Sequence, residues 1–267
     1  MAARGGIYRR LLGAQVRGQA SYRASFVFEL VSNALIPIID IIAVLAMFLI
    51  TRTLGGFTAT EVLVMYGLSA TAFAVADLAV GNIEKLRVYV RQGLLDALLV
   101  RPMSVLGQLL ALDFTLRRLS RIAVAALVLA IAVPRAGIEW SITTAGLIGV
   151  SVLSGAVLFG AIFVGLATVA FWWIDSGEFA NAFTYGGRDF TAYPITVYNG
   201  LFRGLFAFGL GFAFVAYYPT LVLLGRPDPL GLPAWTGWSA PAVAAIAVVL
   251  AGLTWRWGIR HYRSTGS

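Results

Sequence analysis

Two carboxylates, Asp40 and Asp77, lie within long apolar stretches of this 267-residue chain. A carboxylate in an apolar environment is costly unless it faces protein or water, and a pair of them could carry protons. The favoured interpretation is that they support helix packing or, for Asp77, meet water at a helix end. Arg203 lies in another apolar stretch. It is interpreted as an interhelical or snorkelling charge, with contact to a transported anion as the alternative.

Other catalytic chemistries lack the residues they need. His261 is the single histidine and has no carboxylate cluster near it in the sequence, so neither Ser-His-Asp catalysis nor an imidazole metal site is supported. The chain has no cysteine, which excludes thiolate metal sites and cysteine nucleophiles. The single lysine, Lys85, lies in the sequence EKL, so the phosphate-binding pattern G-x-x-x-x-G-K-[ST] is absent. We therefore expect no cofactor, no metal and no ATP hydrolysis in this chain.

Residues 83–102 combine apolar side chains at every third or fourth position with charged side chains between them. The apolar positions are Ile83, Leu86, Val90, Leu94 and Leu98, and the charged ones include Glu84, Lys85, Arg87, Arg91 and Asp96. This pattern predicts two short amphipathic helices, hinged at Gly93 and ended before Pro102. Such a segment can lie on a membrane or present one face to a partner protein.

Six apolar stretches must position these residues. Hydrophobic residues make up 60% of the chain and charged residues 12%, a balance typical of membrane proteins. Each stretch is apolar enough to cross a hydrocarbon core about 30 Å thick. The predicted spans are Phe26 to Ile50, Val62 to Val80, Thr115 to Val133, Ser141 to Trp173, Ile195 to Tyr218 and Ser239 to Gly258. The predicted fold class is an all-α polytopic membrane protein with a single transmembrane domain over residues 1–267.

The positions of the basic residues predict the orientation. Most arginines fall before the first span, between spans two and three, and after the last span, and Arg188 falls between spans four and five. Only Arg52, Arg135 and Arg226 fall in the alternate connections. Because basic residues concentrate on the cytoplasmic side of membrane proteins, both termini are predicted to be cytoplasmic. The arginines of the third stretch, Arg117, Arg118 and Arg121, are expected to snorkel to the headgroups.

Two further segments are predicted to lie at the membrane surface. Residues 1–23 mix arginines with apolar residues at helical spacing, which is typical of an interfacial helix in the cytoplasmic headgroup layer; a frayed basic tail is the alternative. Residues 219–238 are too apolar for an ordinary loop and too rich in glycine and proline for a span. They predict a re-entrant or interfacial hairpin on the outer side, between spans five and six.

Several segments together resemble the membrane subunits of bacterial ABC transporters of the ABC-2 type. The resemblance covers nearly the whole chain. It rests on YRASF (22–26), YGLSATAFAVADL (66–78), RQGLLDALLVRPMSVLGQLLALDFTLRRLSR (91–121), EFANAFTYGG (178–187), YPITVYNGLFRG (193–204) and YYPTLVLLG (217–225). The sequence departs from the family pattern at Asn199 and near Gly211, where proline is frequent, and this leaves the bend of the fifth span open.

This resemblance implies a permease subunit with several partners. It would pair with a second permease, identical or homologous, and with two separately encoded ATP-binding subunits that hold ATP and Mg²⁺. The connection between spans two and three would be the coupling element, in which Glu84, Arg87, Arg91 and Asp96 meet the ATPase. ATP-driven closure would move spans one, two and five. Membrane lipids are also expected partners, and nucleic acid is not.

The leading hypothesis is an exporter of a hydrophobic or amphipathic drug, lipid or peptide in the bacterial cytoplasmic membrane. The strong preference for arginine over lysine indicates a GC-rich bacterial genome and is used only for this localisation. The main alternative is an ion-coupled secondary transporter that uses Asp40 and Asp77, although the two halves show no convincing internal symmetry. A lipid-modifying enzyme and a non-transporting assembly subunit are the remaining hypotheses.

Overall fold

The computed structural model describes residues 23–112 and 115–262, and the side chains from Phe26 onwards. The predicted interfacial helix over residues 1–23 therefore lies outside the described residues except for the backbone of Arg23. Within the described ranges the chain is helical, and its single extended feature is an isolated bridge between Leu54 and Phe57. The all-α prediction is confirmed for this part of the chain.

Eleven α-helices form in the described ranges. They are α1 (Arg23–Met47), α2 (Ala59–Val80), α3 (Leu86–Arg91), α4 (Leu94–Leu99), α5 (Val105–Leu112), α6 (Leu119–Arg135), α7 (Ile142–Ala167), α8 (Gly177–Thr191), α9 (Gly200–Arg203), α10 (Tyr217–Leu223) and α11 (Ala240–His261). Short 3₁₀ turns precede α3, α6, α10 and α11 and follow α7 and α8, and a π-helical turn, Gly204–Gly209, continues α9.

Among the described residues, four helical stretches are long and apolar enough to cross a membrane. They are Phe26–Met47, Ala59–Arg91, Ile142–Phe171 and Ala240–His261. They coincide with the first, second, fourth and sixth predicted spans. These helices account for most of the hydropathy of the chain, because each supplies an apolar length close to the hydrocarbon thickness.

The third predicted span corresponds to α6, which is shorter. Its 17 residues extend about 26 Å at 1.5 Å per residue. Helix α6 packs against α2 in the antiparallel direction, since Arg121 near its start contacts Asp77 and Leu129 further along faces Gly67. Close contact with α2 gives this short helix a protein neighbour along its length.

Gly67 lies where α2 and α6 are in close contact. A Cβ atom at this position would lie 2.8 Å from the Cβ of Leu129 and 2.9 Å from its Cα. We expect Gly67→Ala to push the helices apart and to lower the free energy of unfolding by about 1–3 kcal/mol. The unfolding temperature of the detergent-solubilised protein measures this effect. Gly149→Ala is the matched control, because a Cβ at Gly149 meets open space; an equal loss in both variants would contradict the close approach.

The predicted fifth span, Ile195 to Tyr218, is wrong as a single helix. The chain forms two helical pieces here, Gly200–Gly209 and Phe212–Leu223, which are bent by 66° relative to each other. The break is at Gly211, whose φ of +77° lies in the left-handed region that favours glycine. A continuous helix across residues 195–218 is thus excluded by the backbone.

Both ends of this bent element lie at the same end of the bundle, which we name the Gly55 end. Just before the element, the Thr196 hydroxyl donates to the Gly55 carbonyl at 3.2 Å. Just after it, Arg226 donates to the Gly56 carbonyl at 3.4 Å. The element therefore leaves the Gly55 end and returns to it.

The bent element overlaps the hairpin predicted over residues 219–238. It begins at α9, and the predicted range contains most of α10 and the 3₁₀ turn Ala234–Trp238. Gly237 of that turn packs against Val222 and the Tyr218 carbonyl. The preceding run of phenylalanines, which the sequence analysis assigned to the fifth span, forms part of the bent element.

Helix α8, and not the bent element, connects the two ends of the bundle. Near the start of α8, Glu178 pairs with Arg87 at 3.9 Å. Near its end, Thr191 forms a hydrogen bond with Ser69, and beyond it Thr196 contacts Gly55. Helix α8 thus runs antiparallel to α2. Because α8 is rich in polar residues, hydropathy did not predict it.

The centre of the bundle is formed by α2, which packs against α6, α7 and α8. Its side chains Val62, Met65 and Leu68 are completely buried. Small residues of α7 allow the close contacts that their spacing predicted: Gly155 faces Ala72 of α2. Helix α11 packs on the outside of α7, with Gly258 against Phe171 and Thr168.

Candidate functional site

The 83–102 segment contains two short helices, α3 and α4, separated by Gly93. The hinge prediction is confirmed, because Gly93 adopts φ +67° and ends the helical backbone of α3. The predicted apolar face is confirmed up to Val90 and again at Leu98, but it is wrong at Leu94, which is 46% exposed, whereas Leu95 is fully buried. The left-handed residue rotates the second helix relative to the first, so its buried face does not continue the periodicity of α3.

Two arginines of this segment pair with the connection between α7 and α8. Arg87 lies 3.9 Å from Glu178, and Arg91 pairs with Asp175. Both pairs are exposed, and exposed pairs contribute little to stability. Their consequence is geometric, because they attach the 83–102 segment to the start of α8.

The other two predicted coupling residues face the protein. The Tyr185 hydroxyl of α8 hydrogen-bonds the Glu84 carboxylate, and the second Glu84 oxygen is buried without a partner. Asp96 lies beside the Tyr262 hydroxyl, next to the end of α11; partial burial and this carboxylate raise the pKa of Tyr262 above its usual value. The structure thus brings the 83–102 segment against both α8 and the C-terminal helix.

The exposed surface of the 83–102 segment is apolar as well as basic. Val100 is 84% exposed, and Leu94 and Leu99 are also exposed. Apolar side chains on the surface of such a connection are typical of a protein interface.

Asp77 lies in a buried cluster with two arginines of α6 and of the turn before it. It is 3% exposed, and its Oδ2 lies 3.3 Å from both Arg118 Nε and Arg121 Nη1. Arg118 also donates to the Asp77 carbonyl. The predicted snorkelling of Arg118 and Arg121 and the predicted solvation of Asp77 at a helix end are therefore wrong. Helix packing, the other interpretation of Asp77, fits this cluster.

Arg117 points away from this cluster and pairs with Glu29 of α1 at 3.4 Å. Three arginines close together in sequence thus bind two carboxylates on two different helices. These ion pairs join α1, α2 and α6 at one end of the bundle.

Asp40 of α1 forms a second charged cluster, with Arg188 of α8. The two side chains pair directly, and Arg188 Nε also lies 3.3 Å from Asp189. The Tyr66 hydroxyl lies 3.4 Å from Asp40 and donates to the Pro37 carbonyl at 3.1 Å. Arg188 was assigned by its sequence position to a connection between spans; in the structure it lies on helix α8, beside Asp40 in the second half of α1.

A cavity of about 250 Å³ opens at this second cluster, between α1, α2 and α8. Its polar lining residues are Asp40, Tyr66, Ser69, Arg188, Asp189 and Tyr193. Asp40 is seven residues before the end of α1 at Met47, about 10 Å along a helix. We name this the charged cavity.

Arg203 lies on α9, at the start of the bent element. It is half-buried and lies close enough to Tyr217 and Tyr218 to act on them electrostatically. Tyr217 donates to Asp228 at 3.2 Å. In the described part of the chain no carboxylate forms an ion pair with Arg203.

A further charged link at the Gly55 end was not predicted. Arg226 pairs with Glu61 at 3.1 Å, and Glu61 also accepts a hydrogen bond from the Thr58 backbone N–H at 2.8 Å. The capping pattern Thr58-x-x-Glu61 could have indicated the second contact but not the first. This link attaches the chain after α10 to the start of α2.

Comparison with known protein families identifies the class of these helices. Residues 34–266, most of the chain, match the family model described as ABC-2 family transporter protein. The chain belongs to the ABC-2 transporter family. The sequence resemblance is thereby confirmed, and no curated protein or solved structure matches the chain.

Membership of the ABC-2 family assigns the apolar helices to a membrane. The chain is an integral membrane protein and the membrane component of an ABC transporter. Subunits of this kind carry out transport and are generally not catalytic themselves, and the family implies association with an ABC ATP-binding subunit.

Proposed function

We propose that this ABC-2 permease is an export subunit that crosses the bacterial cytoplasmic membrane six times. Helices α1, α2, α6, α7, α8 and α11 would be the crossings, with α8 as the fifth. The contacts of α8 with Arg87 at one end and of the following chain with Gly55 at the other support this assignment. The first and last described residues would then lie on the cytoplasmic side, together with the 83–102 segment.

The observation that carries the proposal is the physical connection from the 83–102 segment to the charged cavity. Arg87 and Arg91 hold the start of α8, and the same helix carries Arg188 and Asp189 into the cavity. A single helix transmits displacement along its axis because its backbone is hydrogen-bonded throughout. Movement of the 83–102 segment by an ATP-binding partner would therefore reposition the cavity.

The polar face of α1 and α8 is proposed to border the export pathway. The Asp189 side chain is 68% exposed, although it follows a residue that pairs with the middle of α1. An exposed carboxylate facing lipid at that depth is costly. Water or a second permease, identical or homologous, would cover this face. A cavity with both charged and aromatic walls suits an amphipathic substrate such as a drug, lipid or peptide.

The ATP-binding partner, in two copies, is proposed to dock on the 83–102 segment. Arg91 and Val100 are exposed and would contact it directly, whereas Glu84 and Asp96 would hold the segment against α8 and the end of α11. ATP and Mg²⁺ would be bound by that partner. This division of roles refines the expectation that all four charged residues of the segment meet the ATPase.

Charge reversal at Arg91 tests this proposal. In the purified complex with the ATP-binding subunit, we expect Arg91→Glu to lower the ATPase rate several-fold, because it repels Asp175 and releases the segment from α8. Adding Asp175→Arg should restore much of the rate, since it re-forms the pair with inverted charges. Arg135→Glu, at the exposed end of α6, is the matched control. An unchanged ATPase rate in Arg91→Glu would contradict the coupling role.

The alternative of an ion-coupled transporter using Asp40 and Asp77 has less support. Each carboxylate already forms an ion pair with at least one arginine of this chain. A carboxylate that is engaged in an internal ion pair is not free to bind a transported ion, which disfavours a relay through Asp40 and Asp77. Transport that depends on a proton gradient without any ATPase would reverse this preference.

A further inference from the structure

An apolar groove shares none of its lining residues with the charged cavity. It has a volume of about 540 Å³ and is bounded by α2, α7 and α11, with Leu106 of α5 at one end. Small residues form much of its lining, namely Ala76, Ala79, Ala156, Gly160, Ala251 and Gly252. A Cβ atom at Gly252 would meet no atom within 4 Å, so the groove is open there.

The surroundings of this groove are apolar. Neighbouring side chains on the outer face of α11, Ile246, Val249 and Leu253, are exposed. In a membrane protein such a face meets hydrocarbon. A lipid chain can fill a narrow apolar groove of this kind because it brings no unpaired backbone polar groups with it.

One basic residue stands at the mouth of the groove. Arg256 of α11 lines it and is exposed, and among the described residues no carboxylate forms an ion pair with it. Trp255 lies beside it and also lines the groove. A guanidinium binds phosphate through paired, charge-assisted hydrogen bonds, and tryptophan favours the headgroup level of a bilayer.

We propose that this groove binds one acyl chain of an anionic phospholipid, whose phosphate is held by Arg256. The charge of Arg256 selects an anionic headgroup, and the groove continues from that charge into the apolar layer. Leu106 also packs against Ala161, Val164 and Ala251. The bound lipid would therefore stabilise the contact of α5, which follows the 83–102 segment in sequence, with α7 and α11. This site is separate from the charged cavity and does not depend on the direction of transport.

Lipid titration of the purified permease tests the proposal. Native mass spectrometry and the unfolding temperature would be measured in detergent with dioleoylphosphatidylglycerol and, separately, with dioleoylphosphatidylcholine. We expect one tightly bound phosphatidylglycerol and a saturable rise in unfolding temperature, since a ligand that binds only the folded state stabilises it. Phosphatidylcholine should bind more weakly.

Two variants and two matched controls locate the site. Gly252→Leu should abolish the tight binding by filling the groove, and Arg256→Gln should weaken it about tenfold, the effect of losing one charged hydrogen bond. Gly146→Leu also places a leucine in open space, but away from the groove, and Arg260→Gln removes another exposed arginine of α11; both should bind like the original protein.

Three results would overturn the proposal. Folded Gly252→Leu that keeps tight phosphatidylglycerol binding would exclude the groove. Equal affinity for phosphatidylcholine, or unaltered binding in Arg256→Gln, would exclude the recognition of an anionic headgroup. A polypeptide that co-purifies in place of lipid, and is lost in Gly252→Leu, would show that the groove holds a partner helix.

Discussion

Asp77→Ala should destabilise the protein by about 3–5 kcal/mol, the usual consequence of removing one partner from a buried ion pair. Asp77 is almost completely buried, and Arg118 and Arg121 both approach its carboxylate to 3.3 Å. Without it, two guanidinium groups remain inside the bundle with no carboxylate to balance them. We expect a large drop in unfolding temperature and in the yield of folded protein from detergent extracts.

Glu29→Ala is the matched control for this experiment. Glu29 pairs with Arg117, from the same arginine group, but both side chains are about half exposed. Exposed pairs contribute about 0–1 kcal/mol, so this variant should remain close to the original protein. Equal stability losses in Asp77→Ala and Glu29→Ala would show that burial does not distinguish the two pairs and would contradict the buried cluster.

Asp40→Ala is expected to have the second-largest effect, about 2 kcal/mol, because it leaves a mostly buried Arg188 with only the exposed Asp189 as an ion-pair partner. The double variant Asp40→Ala/Arg188→Ala should be more stable than Asp40→Ala alone, since it removes the incompletely paired charge. Comparison of both single variants with the double variant measures the coupling between the two side chains. The unfolding temperatures of the original protein, the two single variants and the double variant, measured in one detergent, provide the four values that this comparison needs.

Asp189→Ala serves as the control for this cycle. Its side chain also contacts Arg188, at 3.3 Å, but it is mostly exposed and should contribute less than Asp40. Additive effects of Asp40→Ala and Arg188→Ala would contradict a direct pair. The result also bears on the ion-coupled alternative, because a carboxylate strongly coupled to an arginine is not free to bind a transported ion.

Hydropathy was sufficient to predict the long apolar helices. The bounds of α1, α2, α7 and α11 lie within a few residues of the predicted spans, apart from the continuation of α2 into the 83–102 segment. The hinge at Gly93 was predictable for a different reason. Glycine between two amphipathic stretches is a strong local signal for a left-handed break.

Helix α8 could not be found in the same way. It contains Glu178, Arg188 and Asp189, which a hydropathy window treats as incompatible with a membrane. Those charges are satisfied by side chains of other helices, notably Arg87 and Asp40, which are distant in sequence. The sequence analysis assigned the fifth span to the apolar run after Ile195 instead. The chain bends at Gly211 within that run.

The charged clusters were predictable in type but not in pairing. Asp40 and Asp77 were recognised as costly charges that must face protein or water, and each is indeed partnered. Their partners, Arg188 and Arg118, lie 148 and 41 residues away, respectively. Nothing in the local sequence selects these partners from the other arginines, since the choice depends on how α6 and α8 pack around α2.

Cysteine labelling from outside the cell tests the six-crossing arrangement most directly, and the absence of native cysteines makes each label specific. Thr53→Cys, Val100→Cys and Val197→Cys would be exposed to a membrane-impermeant maleimide in intact cells and after permeabilisation. We expect Thr53→Cys and Val197→Cys to react in intact cells, and Val100→Cys to react only after permeabilisation. Labelling of Val100→Cys in intact cells, or of Val197→Cys only after permeabilisation, would contradict the placement of the 83–102 segment and of α8.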